Sequence, residues 1–414
     1  MAIRSGLHRA GAASLSALLQ YGPPAQDERW LRCDCGHRAQ FLELRSKPLL
    51  TVLGPAAVRR PYYLCLHCHR GQFPVDAQLD IADTGLSPGV RRMMATVGHQ
   101  MPFDHGREQI RLLADVAVTT KAVERTAEAI GRDIATLQQQ EMHRARQLDL
   151  PVVIGLPVPI LYIQIDATGV PVVRSETVGR LGKVDGQPAH TREVKLGCVF
   201  TQAKLDAQGH PVRDEDSTTY VGAIETAEEF GLRIYLEAWR RGWNRAKLKV
   251  LMGDGAVWIW NLGDQYFPGA VQIVDLYHAR QHLCELAATL YPADATRRRQ
   301  WIAATQPKLD QGHIEKLVAY LRTLRPSNAE TAQKVRLEAD YFEKNADRMR
   351  YPGFRRQGLF VGSGVIEAGC KTVIGSRLKQ SGMFWTVRGA NAIIALRCCH
   401  LNGEFTDYWV ARTA

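Results

Sequence analysis

Three apolar, strand-like segments of this chain each end in an aspartate, and this repeated pattern constrains the fold most. The acids are, in chain order, Asp166 in LYIQIDATGVPVV, Asp254 in KLKVLMGDGAVWIW and Asp275 in AVQIVDLYHARQHL. One such aspartate is readily explained as a turn former. Three of them predict carboxylates gathered at one edge of a sheet, where a divalent metal neutralises charges that would otherwise resist ionisation.

A fourth acid follows a glycine-rich segment late in the chain. Glu367 lies in LFVGSGVIEAGCKTVIGSRLKQSGMFWT, with Lys371, Arg377 and Lys379 after it. A helix start with an acid and following basic residues suits a metal and a phosphate together. The alternative is a first-turn glutamate that stabilises the helix dipole. Together with the strand-end acids, Glu367 predicts two-metal phosphoryl chemistry, in which the ions lie about 4 Å apart.

Two close cysteine pairs near the N-terminus predict a zinc ribbon. They occur in WLRCDCGH and YYLCLHCHRG and supply Cys33, Cys35, Cys65 and Cys68. Four thiolates on two knuckles form a closed tetrahedral zinc site, although the first pair has one intervening residue where two are usual. The alternative is four reduced, unligated thiols. His37, His67 and His69 are candidate substitute ligands or surface groups beside the knuckles.

The segment REQIRLLADVAVTTKAVERTAEAIG (107–131) has helix-turn-helix spacing. A helix ends before the β-branched turn region VAVTT, and a second helix follows with Val123 on its inner face and Arg125 exposed. Such a helix is free to enter a DNA major groove, although short helical hairpins are also common without DNA. The segment is therefore a candidate DNA-binding region.

Composition narrows the classes of partner. The chain has 414 residues and a formal charge of +11, which suits a polyanion such as nucleic acid. No apolar run is long enough to span a bilayer, and no signal peptide is recognisable at the start, so we expect a cytoplasmic protein with no membrane partner.

The order of strand-like and helical segments predicts an α/β fold in three regions. They are an N-terminal helix with the zinc ribbon (1–85), the helix-turn-helix region (86–150), and a catalytic domain (151–414) with a helical insertion at about 283–350. Strands followed by helices predict a mixed sheet with flanking helices in the third region.

Long blocks of the sequence resemble the ISKra family of bacterial insertion-sequence transposases. They include IDATGVPVV, TREVKLGCVFTQ, DSTTYVGAIETAEEFG, GDGAVWIWNL, IVDLYHARQHL and GLFVGSGVIEAGCKTVIGSRLKQSGMFWTVRGANAIIALRCC, and the resemblance covers nearly the whole chain. These are DDE transposases with an RNase H-like core, related to the Mutator group. The resemblance implies that Asp166, Asp254 and Glu367 hold two Mg²⁺ or Mn²⁺ ions. It matches Asp275 and His278 to a D-x-x-H motif and 283–350 to the insertion before the last acid.

The function implied is that of a transposase that binds the ends of its element, hydrolyses a phosphodiester and joins the freed 3′ end to target DNA. We expect double-stranded DNA as partner, a homo-oligomer when two ends are brought together, and association with the bacterial nucleoid. The candidate phosphate contacts are Lys371, Arg377, Lys379 and Arg388. Trp385 is either a base-stacking residue or part of the core.

Three other functions remain open at this point. The first is a structure-specific nuclease with the same core and no strand transfer. The second is a non-catalytic DNA-binding protein descended from a transposase. The third, a cytosolic zinc metalloenzyme, is disfavoured because the four cysteines predict a closed structural site.

Overall fold

The computed structural model describes residues 2–182 and 187–413. These form two compact units, Met1–Ala135 together with Gly403–Ala414, and Thr136–Asn402. None of the helices within the described ranges is both long enough and apolar enough to span a bilayer. The three regions set out from the sequence, with boundaries at 85/86 and 150/151, stay a prediction.

The first unit begins with helix α1 (Ala2–Leu18) and continues into a four-stranded antiparallel sheet in the order β1-β2-β3-β4. Its strands are β1 (Trp30–Arg32), β2 (Arg38–Thr51), β3 (Gly54–Cys65) and β4 (Gly71–Gln72). The two cysteine pairs lie in and around the tight turns β1–β2 and β3–β4. The sheet is followed by the short helix α2 (Pro74–Gln78).

The first unit also holds helices α3 (Pro88–Gln100) and α4 (Phe103–Ala114) and the first part of α5 (Thr120–Arg146), whose residues after Ala135 belong to the second unit. Their shared core contains the buried side chains Val90, Met94, Ile110, Val116 and Val123. The left-handed backbone of Asp115 (φ 57°) ends α4. The predicted helix, turn and second helix are confirmed, with Arg125 exposed on α5. A last helix (Phe405–Thr413) completes this unit.

The second unit is built on a five-stranded mixed sheet in the order β11-β10-β5-β6-β9. Its strands are β5 (Val158–Pro171), β6 (Thr191–Gln202), β9 (Thr219–Ala223), β10 (Ala246–Gly253) and β11 (Val271–Val274). A separate ribbon contains β7 (Lys204–Leu205) and β8 (Pro211–Val212). Strands β5, β10 and β11 are parallel to one another, whereas β6 is antiparallel to both of its neighbours. This arrangement confirms the predicted α/β class with a mixed sheet.

Strand β5 is the central strand of this sheet, because β10 pairs with one of its edges and β6 with the other. Its residues Leu161, Tyr162, Ile163 and Ile165 are fully buried or nearly so, as the β-branched and aromatic pattern predicts. Helix α6 (Ala227–Arg240) packs on β6 and β9, and α7 (Val257–Tyr266) connects β10 to β11. The capping box of Thr226 and Glu229 fixes the start of α6.

A helical segment follows β11, and four of its helices pack on one another as a bundle. These are α8 (Leu276–Leu290), α9 (Ala295–Asp310), α10 (Ile314–Thr323) and α11 (Ala329–Lys344), followed by α12 (Tyr351–Arg356). The helices that return to the sheet region are α13 (Gly364–Gly369), a π-helical turn (Cys370–Gly375), α14 (Ser376–Leu378) and α15 (Val387–Leu401). Helices α13 and α15 contact the sheet directly. The insertion predicted at 283–350 thus begins inside α8.

Candidate functional site

The strand register aligns three aspartates across the parallel part of the sheet. Met252 pairs with Gln164, so continuing the β5–β10 register by two residues sets Asp254 beside Asp166. Gly253 pairs with Val274, and the next residue on that side is Asp275. Parallel strands lie about 4.8 Å apart, so neighbouring positions in register are close. The acids therefore form a row along the carboxyl ends of β10 and β11 and the corresponding part of β5.

Each aspartate is also fixed by the local backbone. Oδ1 of Asp166 accepts a hydrogen bond from the N–H of Ala167 (2.7 Å), and its Oδ2 accepts one from Sγ of Cys370 (3.3 Å). Oδ1 of Asp254 accepts from the N–H of Ala256 (2.9 Å) in the turn that follows β10. The carboxylates of Asp166 and Asp254 are therefore oriented while both residues stay partly accessible.

Glu367 reaches this region because a buried glutamine ties its helix to β5. Gln164 is completely buried, and its Oε1 accepts a hydrogen bond from the N–H of Ile366 (3.0 Å). Its Nε2 donates to the carbonyl of Gly362 (3.4 Å). Since Gln164 lies two residues before Asp166 on the same strand, the first turn of α13 is held near the row of acids. The Glu367 side chain is exposed.

Asp275 has a structural role at the end of the row. It is 2% exposed and caps α8, its Oδ1 accepting from the N–H of Tyr277 (2.7 Å). Its Oδ2 accepts a hydrogen bond from the hydroxyl of Ser363, whose oxygen also lies 3.4 Å from Oε1 of Glu367. Both oxygens of Asp275 are thus engaged by the protein, and Ser363 connects this acid to the segment that carries Glu367.

The electrostatics of the row favour a cation. Burial raises the pKa of the Asp166 carboxyl above its ordinary value, and the negative charge of Asp254 adds to the rise. The N–H of Ala167, Cys370 and the nearby His278 act in the opposite direction. A divalent ion between these carboxylates would remove their repulsion. The hard oxygen donors of the row are the ligand type that Mg²⁺ and Mn²⁺ take.

The carboxylates do not converge on a single point. Among the described residues, the groups of three or more potential ligand atoms lying within 4.8 Å of one another contain cysteines and histidines of the first unit, and the acids form no such group. Two-metal sites hold ions about 4 Å apart, so their ligands are divided between two positions. The row of acids fits that kind of site better than a single closed one.

The four N-terminal thiols do converge. Sγ of Cys33 lies 3.5 Å from Sγ of Cys68, and Sγ of Cys35 lies 3.6 Å from Sγ of Cys65. The sulfur atoms of all four cysteines lie within 4.8 Å of one another. Backbone N–H groups, chiefly that of Cys68, lower the pKa of Cys65 to about 6. Four close thiols with a stabilised thiolate fit a tetrahedral Zn²⁺ ion, as the sequence predicts.

Two histidines flank this cluster. The rings of His37 and His67 stack with their centroids 3.7 Å apart, and together with Cys35 they form a second exposed group of potential ligands. Because the four thiols already complete a tetrahedral set, the histidines lie outside it and beside Cys35. His69 adopts the left-handed backbone (φ 55°) of the turn after Cys68.

The predicted phosphate contacts divide into exposed and buried residues. Lys371, Lys379 and Arg388 are exposed, and Nζ of Lys379 donates a hydrogen bond to the hydroxyl of Thr168, two residues beyond Asp166 on β5. Arg377, by contrast, is completely buried, with its guanidinium 4.9 Å from the ring centroid of Trp385. Its surroundings are those of a core residue, so we leave Arg377 out of the candidate phosphate contacts.

Trp385 is 6% exposed and donates its Nε1–H to the carbonyl of Leu378 (3.1 Å). Of the two interpretations open for this residue, the structure favours the core. The adjacent Phe384 is 65% exposed and is the better stacking candidate. Sequence reasoning passed over Phe384, which directly precedes Trp385 in the chain.

Sequence reasoning also missed Gln164 and Ser363, which connect the segment before Glu367 to Asp166 and Asp275. One signal was available for Gln164, because it is the single polar residue inside the apolar run LYIQI. A polar side chain on a central strand needs a buried hydrogen-bond partner. No comparable signal marked Ser363.

Comparisons with known proteins give little further guidance. No known family is matched by the chain, and no curated protein matches its sequence. Among solved structures it is similar to the Drosophila P element transposase strand transfer complex, with 11% identity over 82% of this chain and 85% of that chain. The TM-score is 0.24. A similarity of that size carries no argument about this chain.

Proposed function

We propose that this chain is a DDE-type DNA transposase of an insertion sequence, with an RNase H-like catalytic domain. The observation that carries the proposal is the register of the parallel strands, which aligns Asp166 with Asp254 and Asp254 with Asp275. Gln164 adds the segment of Glu367 to the same region. Acids distant in sequence that meet at one edge of a sheet are suited to phosphoryl transfer.

In this proposal Asp166, Asp254 and Glu367 would hold two Mg²⁺ or Mn²⁺ ions. Such ions would activate a water molecule or a 3′ hydroxyl and stabilise the leaving oxygen. Asp275 and His278 support the site without holding both metals. Asp275 positions Ser363 beside Glu367, and His278 favours the ionised form of Asp166.

The first unit would bind the ends of the element. Cys33, Cys35, Cys65 and Cys68 would hold one structural Zn²⁺ ion, which fixes both β-turns of the sheet. Arg125 projects from α5, and the net charge of +11 favours double-stranded DNA as the partner. A homo-oligomer would bring two ends together at the bacterial nucleoid.

At the catalytic edge, Lys371, Lys379 and Arg388 are the proposed phosphate contacts. Lys379 is supported most strongly, since its ammonium group bonds to Thr168 close to Asp166. Phe384 offers an exposed ring on which an unpaired base would stack.

The test uses the DNA that flanks the gene. We expect inverted repeats on both sides, and purified protein with Mg²⁺ should cleave at these repeats and join the 3′ ends to a second duplex. Cleavage without joining would support a structure-specific nuclease instead. Binding without cleavage at any Mg²⁺ or Mn²⁺ concentration would support a non-catalytic DNA-binding protein and contradict the proposal.

A further inference from the structure

We infer that the helical insertion supplies a positioning residue, Tyr341, that holds the backbone of Asp254 in its metal-binding orientation. This inference rests on the proposed function, because it concerns the same row of acids. Tyr341 lies on α11, far along the chain from β10. The insertion would therefore do more than separate the third acid from the others.

The contact is direct. The hydroxyl of Tyr341 donates a hydrogen bond to the main-chain carbonyl of Asp254 (2.9 Å). The Asp254 carboxylate itself is held from the other side by the N–H of Ala256. The tyrosine therefore fixes the peptide that follows Asp254, and the turn fixes its side chain. Rotation of that peptide would displace the N–H of Ala256, which holds the carboxylate of Asp254.

The next residue shows how closely the ring approaches. Gly255 has a φ of +99°, and a Cβ atom built there would lie 2.6 Å from Cε2 of Tyr341. Only glycine allows both that backbone conformation and the approach of the aromatic ring. Gly255 therefore leaves room for the ring of Tyr341 as well as allowing the turn after β10.

The ring of Tyr341 is supported by a second pair of residues. His282, on α8, stacks on it with centroids 4.0 Å apart and planes 12° apart. Nδ1 of His282 lies 2.7 Å from Oε2 of Glu338, which is 3% exposed. Tyr341 and Glu338 both belong to α11, so the stacked histidine joins α8 to the insertion helix.

The same stack continues along α8. His278, one helical turn before His282, lies edge-on to it with centroids 5.1 Å apart. His278, His282 and Tyr341 thus form one set of packed rings between α8 and α11. A change in the packing of these two helices would reach Asp254 through Tyr341.

The decisive variant is Tyr341→Phe in the full chain, which removes one hydroxyl and keeps the ring. Mn²⁺ binding is measured by electron paramagnetic resonance, with Asp254→Asn identifying the signal that belongs to the acids. We expect the Mn²⁺ concentration at half-saturation (the Mn²⁺ midpoint) to rise about threefold to tenfold, which is the range that loss of one hydrogen bond gives. DNA cleavage by this variant should recover as the Mg²⁺ concentration is raised, which a purely structural residue would not produce.

Tyr320→Phe is the matched control, since Tyr320 lies on α10 of the same insertion beside Trp301 and contacts neither acid. Its midpoint should equal that of the parent. An equal shift in both variants would overturn the inference. If Tyr341→Phe fails to fold, His282→Gln, which removes the stacked ring, must raise the midpoint, and an unchanged value overturns the inference.

The proposed function and the positioning role of Tyr341 can fail separately, and the Mn²⁺ measurements distinguish the two outcomes. Mn²⁺ binding that is insensitive to Asp254→Asn would contradict the proposed function and the positioning role together. An Asp254-dependent site whose midpoint is the same in Tyr341→Phe and the parent would contradict the positioning role alone.

Discussion

The cysteine cluster and the row of acids differ in how they are assembled. Four thiols from one antiparallel sheet lie within 4.8 Å of one another, and two of the four are buried. The three acids proposed to hold metal, Asp166, Asp254 and Glu367, come from β5, the turn after β10 and helix α13, and they form no comparable group among the described residues. The first arrangement is closed and the second is open.

The difference follows from ligand chemistry. Thiols pack together as weakly polar groups before a metal binds, and zinc then completes a closed tetrahedral site that stabilises the fold. Carboxylates resist burial and repel one another: burial, and to a lesser extent the charge of Asp254, raises the pKa of Asp166. Asp166 and Asp254 stay partly accessible to solvent. We therefore expect the first region to need its metal for folding and the second to need it for activity.

Loss of a cysteine should have the largest effect. In Cys65→Ser we expect the bound zinc to fall from about one ion per chain to none and the N-terminal sheet to lose its protection from hydrogen exchange. Structural zinc contributes on the order of 10 kcal/mol to small metal-dependent folds. Metal analysis and hydrogen exchange provide the measurement. The control is Cys284→Ser, at an exposed cysteine of α8, which should change neither the zinc content nor the exchange protection. Zinc retained in Cys65→Ser would contradict the difference proposed between the cysteine cluster and the acids.

Removing one acid should abolish activity and leave the fold intact. Asp254→Asn keeps the side-chain shape, so we expect Mg²⁺-dependent DNA cleavage to fall by at least about a hundredfold, the upper range seen for residues that only support metal ligands. DNA affinity and thermal stability should remain near those of the parent. Asp264→Asn, at an exposed position of α7, is the control. Appreciable cleavage by Asp254→Asn would show that this carboxylate holds no essential metal.

The supporting histidine should have a smaller effect. His278→Ala removes a group that favours the ionised form of Asp166, so we expect cleavage to slow about tenfold. Single-turnover rates at saturating Mg²⁺ give the measurement, with the exposed His313→Ala as comparison. If His278→Ala cleaves at the parental rate, the residue only packs beside the helix cap formed by Asp275.

DNA binding by the first unit should depend on salt and on α5. Counterion release predicts that affinity falls by orders of magnitude between about 50 and 200 mM salt. Arg125→Ala should weaken binding severalfold and reduce the salt slope by about one. Arg322→Ala, which removes one charge paired with Asp340 in the insertion, is the control. A nearly flat salt titration of the parent would argue against nucleic acid as the main partner.

The smallest expected effect concerns stability without metal. Because burial raises the pKa of Asp166 in the fold, its charge costs stability in full above the raised pKa, and the cost disappears as the pH falls from there to the unfolded pKa. Asp166→Asn should therefore raise the melting temperature of the divalent-free protein by roughly 1–3 °C at neutral pH and have no such effect in acid. Calorimetry at two pH values tests the sign. A lower melting temperature at neutral pH would contradict it.

The sequence predicted the strands next to the acids because a run of apolar, strand-forming residues followed by an aspartate is a local signal. Strands β10 and β11 end directly before Asp254 and Asp275, as the pattern predicts. The prediction that Asp166 ends its strand is wrong, because β5 continues beyond it to Pro171, paired with β6. Helices α4 and α5 lie on either side of the predicted turn. The register that aligns Asp254 with Asp166 could not be predicted from the local pattern, because it depends on pairing between strands that are distant in sequence. The contact of Tyr341 with Asp254 could not be predicted either, because an aromatic residue in an amphipathic helix normally packs in a core. The burial of Arg377 against Trp385 likewise depends on tertiary packing.

Anomalous diffraction from crystals grown with Mn²⁺ would show whether the three acids hold metal ions together. We expect manganese peaks about 2.1 Å from carboxylate oxygens of Asp166, Asp254 and Glu367. A zinc peak at Cys33, Cys35, Cys65 and Cys68 in the same crystals serves as an internal standard. A clear zinc peak with no manganese at these three acids, or manganese held by only one of them, would contradict the proposed metal site.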